Sequence, residues 1–293
     1  MFIFAITSLI SVPVLLYYES QTGVTPPSSQ NASAGGGYFL YFLLSMLLFT
    51  AVIIFLSRRK KTGIFRYLFG AAMALAIFYM ASIVYVFAFN LLAEYVNIPL
   101  TSSQYEIVYE IAVLATGAIF FYVLTFRQNW IAINFAGVMA SSVLAIVWSQ
   151  SLGLYFAILL LVVVAVYDYI AVFVTKHMVE LANASLESMV PLFFIMPSSR
   201  HFNSSNLRIE GGSEERGAIL LGFGDVAIPN IMIMTSFSYF HYQIFPFLIL
   251  PLLGGLAAMV VLFTYIKRPA PGLPFLNTGV LLGFGAALLI NML

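Results

Sequence analysis

The stretch LYFAILLLVVVAVYDYIAVF, Leu154 to Phe173, is long and apolar enough to cross about 30 Å of hydrocarbon as a helix, yet it holds an aspartate at position 168. A central Asp costs roughly 3 kcal/mol on insertion scales, so an acid kept there is a functional candidate by default. The rest of the chain repeats the apolar part of the pattern. Of its 293 residues 62% are hydrophobic and 8% charged, and its mean hydropathy is +1.02, values that mark an integral membrane protein. Continuous rather than alternating apolar runs specify helices, not a barrel.

Nine such runs can be placed, at 2–18, 38–57, 67–92, 107–126, 130–149, 153–175, 217–238, 243–266 and 272–292. The expected fold is therefore an all-α polytopic membrane protein with nine transmembrane helices. All 12 Lys and Arg residues fall in alternate connections: Arg58 to Lys61 with Arg66, then Arg127, then Lys176, Arg200, Arg208 and Arg216, then Lys267 and Arg268. The positive-inside rule makes those connections cytoplasmic, with the N-terminus inside and the C-terminus outside. Trp130 and Trp148 bracket the fifth run about 27 Å apart, which suits aromatic residues at the two membrane interfaces. The first run starts at Met1 without a basic n-region or cleavage site and reads as a retained helix.

The chain divides into a six-helix N-terminal half (1–175), a cytoplasmic loop (176–216) and a three-helix C-terminal half (217–293). The loop contains SMVPLFFIMP, Ser188 to Pro197, too short to cross and expected to be interfacial or mobile. The segment from Glu19 to Gly37 is expected to be a flexible external loop, with an N-A-S triplet at Asn31.

Several function classes are disfavoured. A net charge of +1, with no basic aromatic-interleaved patch, predicts no nucleic-acid partner. The absence of cysteine excludes thiol nucleophiles and iron-sulfur clusters. His177, His201 and His241 have no H-E-x-x-H spacing, so neither a metal nor another cofactor is expected.

The sequence has two Asp residues, Asp168 and Asp225, and both lie inside predicted spans. Asp168 is eight residues before Lys176 and Asp225 eight after Gly217, which puts each about 12 Å below the cytoplasmic surface on antiparallel helices. No Lys or Arg lies at that depth, so a proton shared between the acids is the economical solution. Such a pair suits aspartic peptide hydrolysis, and equally proton or cation transport. Gly222 and Gly224 allow close backbone approach, and Pro229 removes the hydrogen bond to the Asp225 carbonyl. The later LLGFGA, Leu281 to Ala286, is a near twin of LLGFGD, Leu220 to Asp225, and its glycines are expected to share a packing role with those of the first copy.

YD (Tyr167, Asp168), GFGD (Gly222, Phe223, Gly224, Asp225) and PGLP (Pro271, Gly272, Leu273, Pro274) together resemble the presenilin and signal peptide peptidase family of GxGD-type intramembrane aspartyl proteases, in a prokaryotic-like form. The resemblance implies nine spans and an endopeptidase that hydrolyses transmembrane helices with Asp168 and Asp225 as catalytic acids. It further implies substrate-binding or supporting roles for Tyr167, Gly222, Phe223, Gly224, Pro271, Gly272 and Leu273. The third family motif is Pro-Ala-Leu, and glycine replaces alanine here. Expected partners are transmembrane or signal-peptide substrates and the lipid bilayer, with a homo-oligomer allowed. The expected location is the plasma membrane, with the site open to the cytoplasm. A proton-coupled transporter and a proteolytically silent helix-binding protein are the alternatives.

Overall fold

In lipid the backbone must satisfy its own hydrogen bonds, so long apolar runs become helices. The computed structural model describes residues 1–23, 32–58, 62–95, 102–127, 129–173, 193–197, 218–265 and 272–292. Its helices are α1 (Phe2–Thr22), α2 (Ala32–Arg58), α3 (Thr62–Tyr95), α4 (Ser102–Tyr122), α5 (Trp130–Phe173), α6 (Phe223–Tyr239), α7 (Leu250–Tyr265) and α8 (Gly272–Met292). Seven helical stretches among the described residues are long and apolar enough to cross a membrane. Pro271, His177, His201, Asn31 of the N-A-S triplet, and the basic residues 59–61, 176, 200, 208, 216, 267 and 268 lie outside the described residues.

The 44 residues of α5 would span about 66 Å as one straight rod, twice the hydrocarbon thickness. Gly153, at φ 70° and ψ 165°, interrupts the helix in a conformation that only glycine adopts without steric cost. The two runs expected at 130–149 and 153–175 thus meet at this break as two limbs.

Every residue of α6 from Val226 to Ser238 is buried. A helix apolar on all sides belongs in the interior, and α6 packs against α1, α5 and α8. Polar side chains fix its place along the bundle. Ser8 of α1 donates to Asn230 Oδ1, and Asn230 Nδ2 donates to the Val226 carbonyl at 2.9 Å. Near the far end of α6, buried Glu19 accepts from Gln150 and Ser238, each at 2.6 Å, and from Tyr242. Helix α1 extends past its expected end to reach this position, and Gly23 closes it in the left-handed conformation at φ 64°.

Three expectations about the fold require correction. The segment expected as a flexible loop over Glu19 to Gly37 is helical at both ends, through Thr22 in α1 and from Ala32 in α2. The run expected as a helix over 217–238 opens instead as a strand, β2 (Ala218–Gly222), with helix only from Phe223. The segment expected as a plain loop over 176–216 contains β1 (Phe193–Pro197), the end of the stretch expected to be interfacial or mobile. The strands pair antiparallel, with Phe194 opposite Leu221 and Ile195 opposite Leu220. A short apolar run such as AILLG satisfies either periodicity, and here the available partner strand decides the outcome.

Glycine also sets a close contact between helices. A β-carbon on Gly279 of α8 would overlap the Gly254 carbonyl of α7 and lie 2.5 Å from the Ala258 β-carbon. Small residues let two backbones approach in this way. Gly279→Val is expected to separate α7 from α8 and cost about 1–3 kcal/mol, read as a lower unfolding midpoint in detergent. An unchanged midpoint would mean that the pair does not need this contact.

Candidate active site

Asp168 lies on the second limb of α5 and is 2% exposed. Its Oδ2 accepts a hydrogen bond from the backbone N–H of Leu273 at 3.3 Å. Leu273 is the second residue of α8, where N–H groups have no acceptor within their own helix. The carboxyl thus caps α8 from a neighbouring helix, at the end where the helix dipole favours negative charge.

Asp225 occupies the first turn of α6, three residues after the N-cap Gly222. Its carboxyl turns back over that cap: a β-carbon on Gly222 would lie 3.1 Å from Oδ2. An acid at this position suits both the unpaired N–H groups and the dipole of the helix start. The same carboxyl faces the start of α8, where a β-carbon on Gly272 would lie 3.0 Å from Oδ2 and 3.1 Å from Cγ.

Successive residues of α8 therefore touch one acid each, Gly272 against Asp225 and Leu273 against Asp168. The two acids come within electrostatic range of each other. Among the described residues neither has a cationic partner. A close pair of carboxyls with no counter-ion favours holding one proton between them, which leaves one group able to accept a proton and the other able to donate.

The other residues singled out from sequence fall in different settings. Gly224 borders open space, with no atom within 4 Å of where a β-carbon would stand. Phe223 packs edge-on against Phe194 of β1, with ring centroids 4.6 Å apart. Tyr167 is half-buried, and its hydroxyl has no hydrogen-bond partner among the described residues. Pro271 lies outside them, so only the Gly272–Leu273 part of the PGL motif can be placed. Glycine at 272 does more than loosen the helix start, since it leaves Asp225 the room that a methyl group would take.

Sequence reading missed the uncharged polar residues around the site, because only charged groups in the spans were weighed. Asn277 is buried four residues after Leu273, and its Nδ2 donates to the Leu161 carbonyl of α5 at 2.8 Å. Asn134 of α5 binds β1 through its amide. An amide within an apolar run was the available signal, as it must find partners when buried.

Residues 1–293 match the family described as signal-peptide peptidase, presenilin aspartyl protease. The chain belongs to this family. Two crystal forms of a presenilin family intramembrane aspartate protease share the fold. The C222 form has a TM-score of 0.63 at 22% identity and covers 98% of this chain and 96% of that one. The P2 form has a TM-score of 0.61 at 22% identity, covering 99% and 96%. No curated protein matches significantly. The family assignment makes this chain a membrane hydrolase of the aspartyl protease type, not the transporter considered as an alternative.

The crowding at Gly272 is testable. Gly272→Val places two methyls beyond a β-carbon already 3.0 Å from Asp225 Oδ2. If Asp225 takes part in the reaction, proteolysis should fall at least about tenfold with little change in unfolding midpoint, because a small displacement of a reacting group is enough. Full activity in this variant would show that the site has slack there.

Proposed function

We propose that the protein is an intramembrane endopeptidase in which Asp168 and Asp225 form the catalytic dyad and transmembrane or signal-peptide helices are the substrates. The observation that carries the proposal is the convergence of both carboxyls on consecutive residues at the start of α8. In the reaction one carboxylate takes a proton from water as the water oxygen attacks the peptide carbonyl carbon. The protonated partner donates to the developing oxyanion. A proton then passes to the leaving nitrogen as the C–N bond breaks, which releases a carboxylic acid and an amine.

A helical substrate hides its carbonyls in its own hydrogen bonds and must unwind locally before attack. In our reading Gly272, Leu273 and the β2 strand hold the unwound stretch extended beside the acids, with Gly224 leaving space for it. Extended peptides add readily to a sheet edge through main-chain hydrogen bonds.

In the same proposal the chain crosses the membrane nine times, with the two limbs of α5 and the short α6 counted as crossings. The three-part division at 1–175, 176–216 and 217–293 is kept, with β1 inside the central segment. The N-terminus is cytoplasmic, the C-terminus external, and water reaches the acids from the cytoplasmic side of a plasma-membrane protein. Arg66 lies over the Phe126 ring at 6.0 Å, which supports putting the second and fourth connections on one side.

Asp168→Asn and Asp225→Asn should each lower cleavage of a model transmembrane substrate in liposomes at least about a hundredfold, because either change removes half of the acid–base pair. Substantial cleavage by either variant, or solute flux without proteolysis by the wild type, would overturn the proposal. Activity should also fall at both pH extremes. At low pH both groups are protonated and no base remains; at high pH both are ionised and no acid remains. A profile that is flat across the range where carboxyls titrate would contradict a shared proton.

A further inference from the structure

We propose that Asn134 is a positioning residue for proteolysis: its side-chain amide takes the place of a third strand on the outer edge of β1 and holds the β1–β2 pair in register against α5. The Ile195 N–H donates to Asn134 Oδ1 at 2.8 Å, and Asn134 Nδ2 donates to the Ile195 carbonyl at 2.7 Å. One planar amide thus satisfies both backbone groups of a single strand residue, as a neighbouring strand would. This deepens the function proposed above and rests on it.

Strand geometry shows what the clamp accomplishes. Antiparallel neighbours alternate between pairs that exchange both backbone hydrogen bonds and pairs that exchange none. Both Ile195 groups are directed to α5, so the Ile195–Leu220 pair is of the second kind. The backbone groups of Leu220 therefore face the opposite edge, away from β1. Among the described residues nothing takes them. Asn134 closes the β1 edge, while among the described residues the β2 edge has no partner, two residues before Gly222 and five before Asp225.

Two further residues on the same face of α5 continue the dock. Asn134, Gly137 and Ser141 are spaced i, i+3 and i+7, which aligns them along one side of a helix. A β-carbon on Gly137 would overlap the Phe223 ring and lie 2.7 Å from Phe194 Cε1, so the glycine forms the notch that seats both rings. The Ser141 hydroxyl approaches the Phe223 carbonyl at 3.5 Å. This face of α5 thus touches β1 and the start of α6, the two segments that frame the approach to Asp225. A shift of the hairpin by one residue would reverse which backbone groups face outward.

The test uses the full chain in detergent or nanodiscs with a defined transmembrane substrate. Asn134→Leu removes both hydrogen bonds at similar volume, whereas Asn134→Gln keeps the amide. The expected result for Asn134→Leu is a kcat lowered about tenfold, cleavage spread over neighbouring peptide bonds, and hydrogen exchange at the Ile195 amide at least about tenfold faster. Asn134→Gln should recover part of all three. Wild-type kcat, product pattern and Ile195 protection in Asn134→Leu would overturn the proposal. So would loss of activity in strict proportion to loss of folded protein with unchanged products. If Asn134→Leu does not fold, Asn134→Asp replaces it. Ionised, that variant keeps an acceptor for the Ile195 N–H but has no donor for its carbonyl, and unchanged kcat and products at a pH where the new carboxyl is ionised would likewise overturn the proposal. Ile195 exchange is read without proteolysis. A wild type that does not cleave counts against the dyad alone, while slow wild-type exchange lost in Asn134→Leu still supports the clamp.

Discussion

Backbone that is not helical at membrane depth must find its hydrogen bonds inside the protein, and this constraint organises the molecule around its acids. A peptide hydrolase needs such backbone beside its catalytic groups, because an intact helix offers no free carbonyl or amide to a substrate. The solution is a strand, β2, that runs directly into the first turn of α6 at Gly222. One edge of β2 is satisfied by β1, and β1 in turn by the Asn134 amide. The chain of satisfaction ends on α5, the helix whose second limb carries Asp168. The same helix therefore supports the scaffold of one acid and bears the other.

The placement of α6 follows from several polar contacts along its length rather than one strong bond. Its start is held by β2 and by the seating of Phe223 against Phe194. Its middle is tied to α1 through Ser8 and Asn230, and Ser236 donates to the Phe247 carbonyl at 2.8 Å. Glu19 gathers Gln150, Ser238 and Tyr242 near the other end. Apolar packing alone is non-directional and would tolerate sliding or rotation of a helix that is buried on all sides. Hydrogen bonds with fixed partners remove that freedom. They make the depth and direction of Asp225 properties of the whole bundle.

The membrane class and the pairing of the acids were legible because charge in hydrocarbon is costly and therefore conspicuous. Asp168 and Asp225 stood out for this reason. The break at Gly153 was visible only as a gap between two runs, since its positive φ depends on how the limbs pack. The strands were legible only in part: the residues after the 176–216 loop read as strand-capable, but AILLG and FFIMP are apolar without alternation, and such runs read equally as helix. Asn134 and Asn277 were passed over because an amide carries no charge. Their roles depend on partners 61 and 116 residues away in the chain, which no local pattern encodes.

The two near-identical hexapeptides make the same point in physical terms. Both contain L-L-G-F-G, yet the first is the end of a strand followed by a helix start, while the second lies within α8. Leu221 of the first copy pairs with Phe194 and is buried; Leu282 of the second is 70% exposed. The glycines differ as well. Gly283 lies where a β-carbon would meet the α7 backbone at Leu250 and Pro251, whereas its counterpart Gly222 lies against the Asp225 carboxyl; the second glycines, Gly224 and Gly285, both border open space. The expectation of a shared packing role is thus wrong for this pair. Identical local preference has been resolved in opposite directions by tertiary partners, and the acid follows the copy whose backbone was drawn out of the helix. In a fully helical setting the carbonyls and amides near Asp225 would be committed to the helix itself, leaving none to hold an extended peptide.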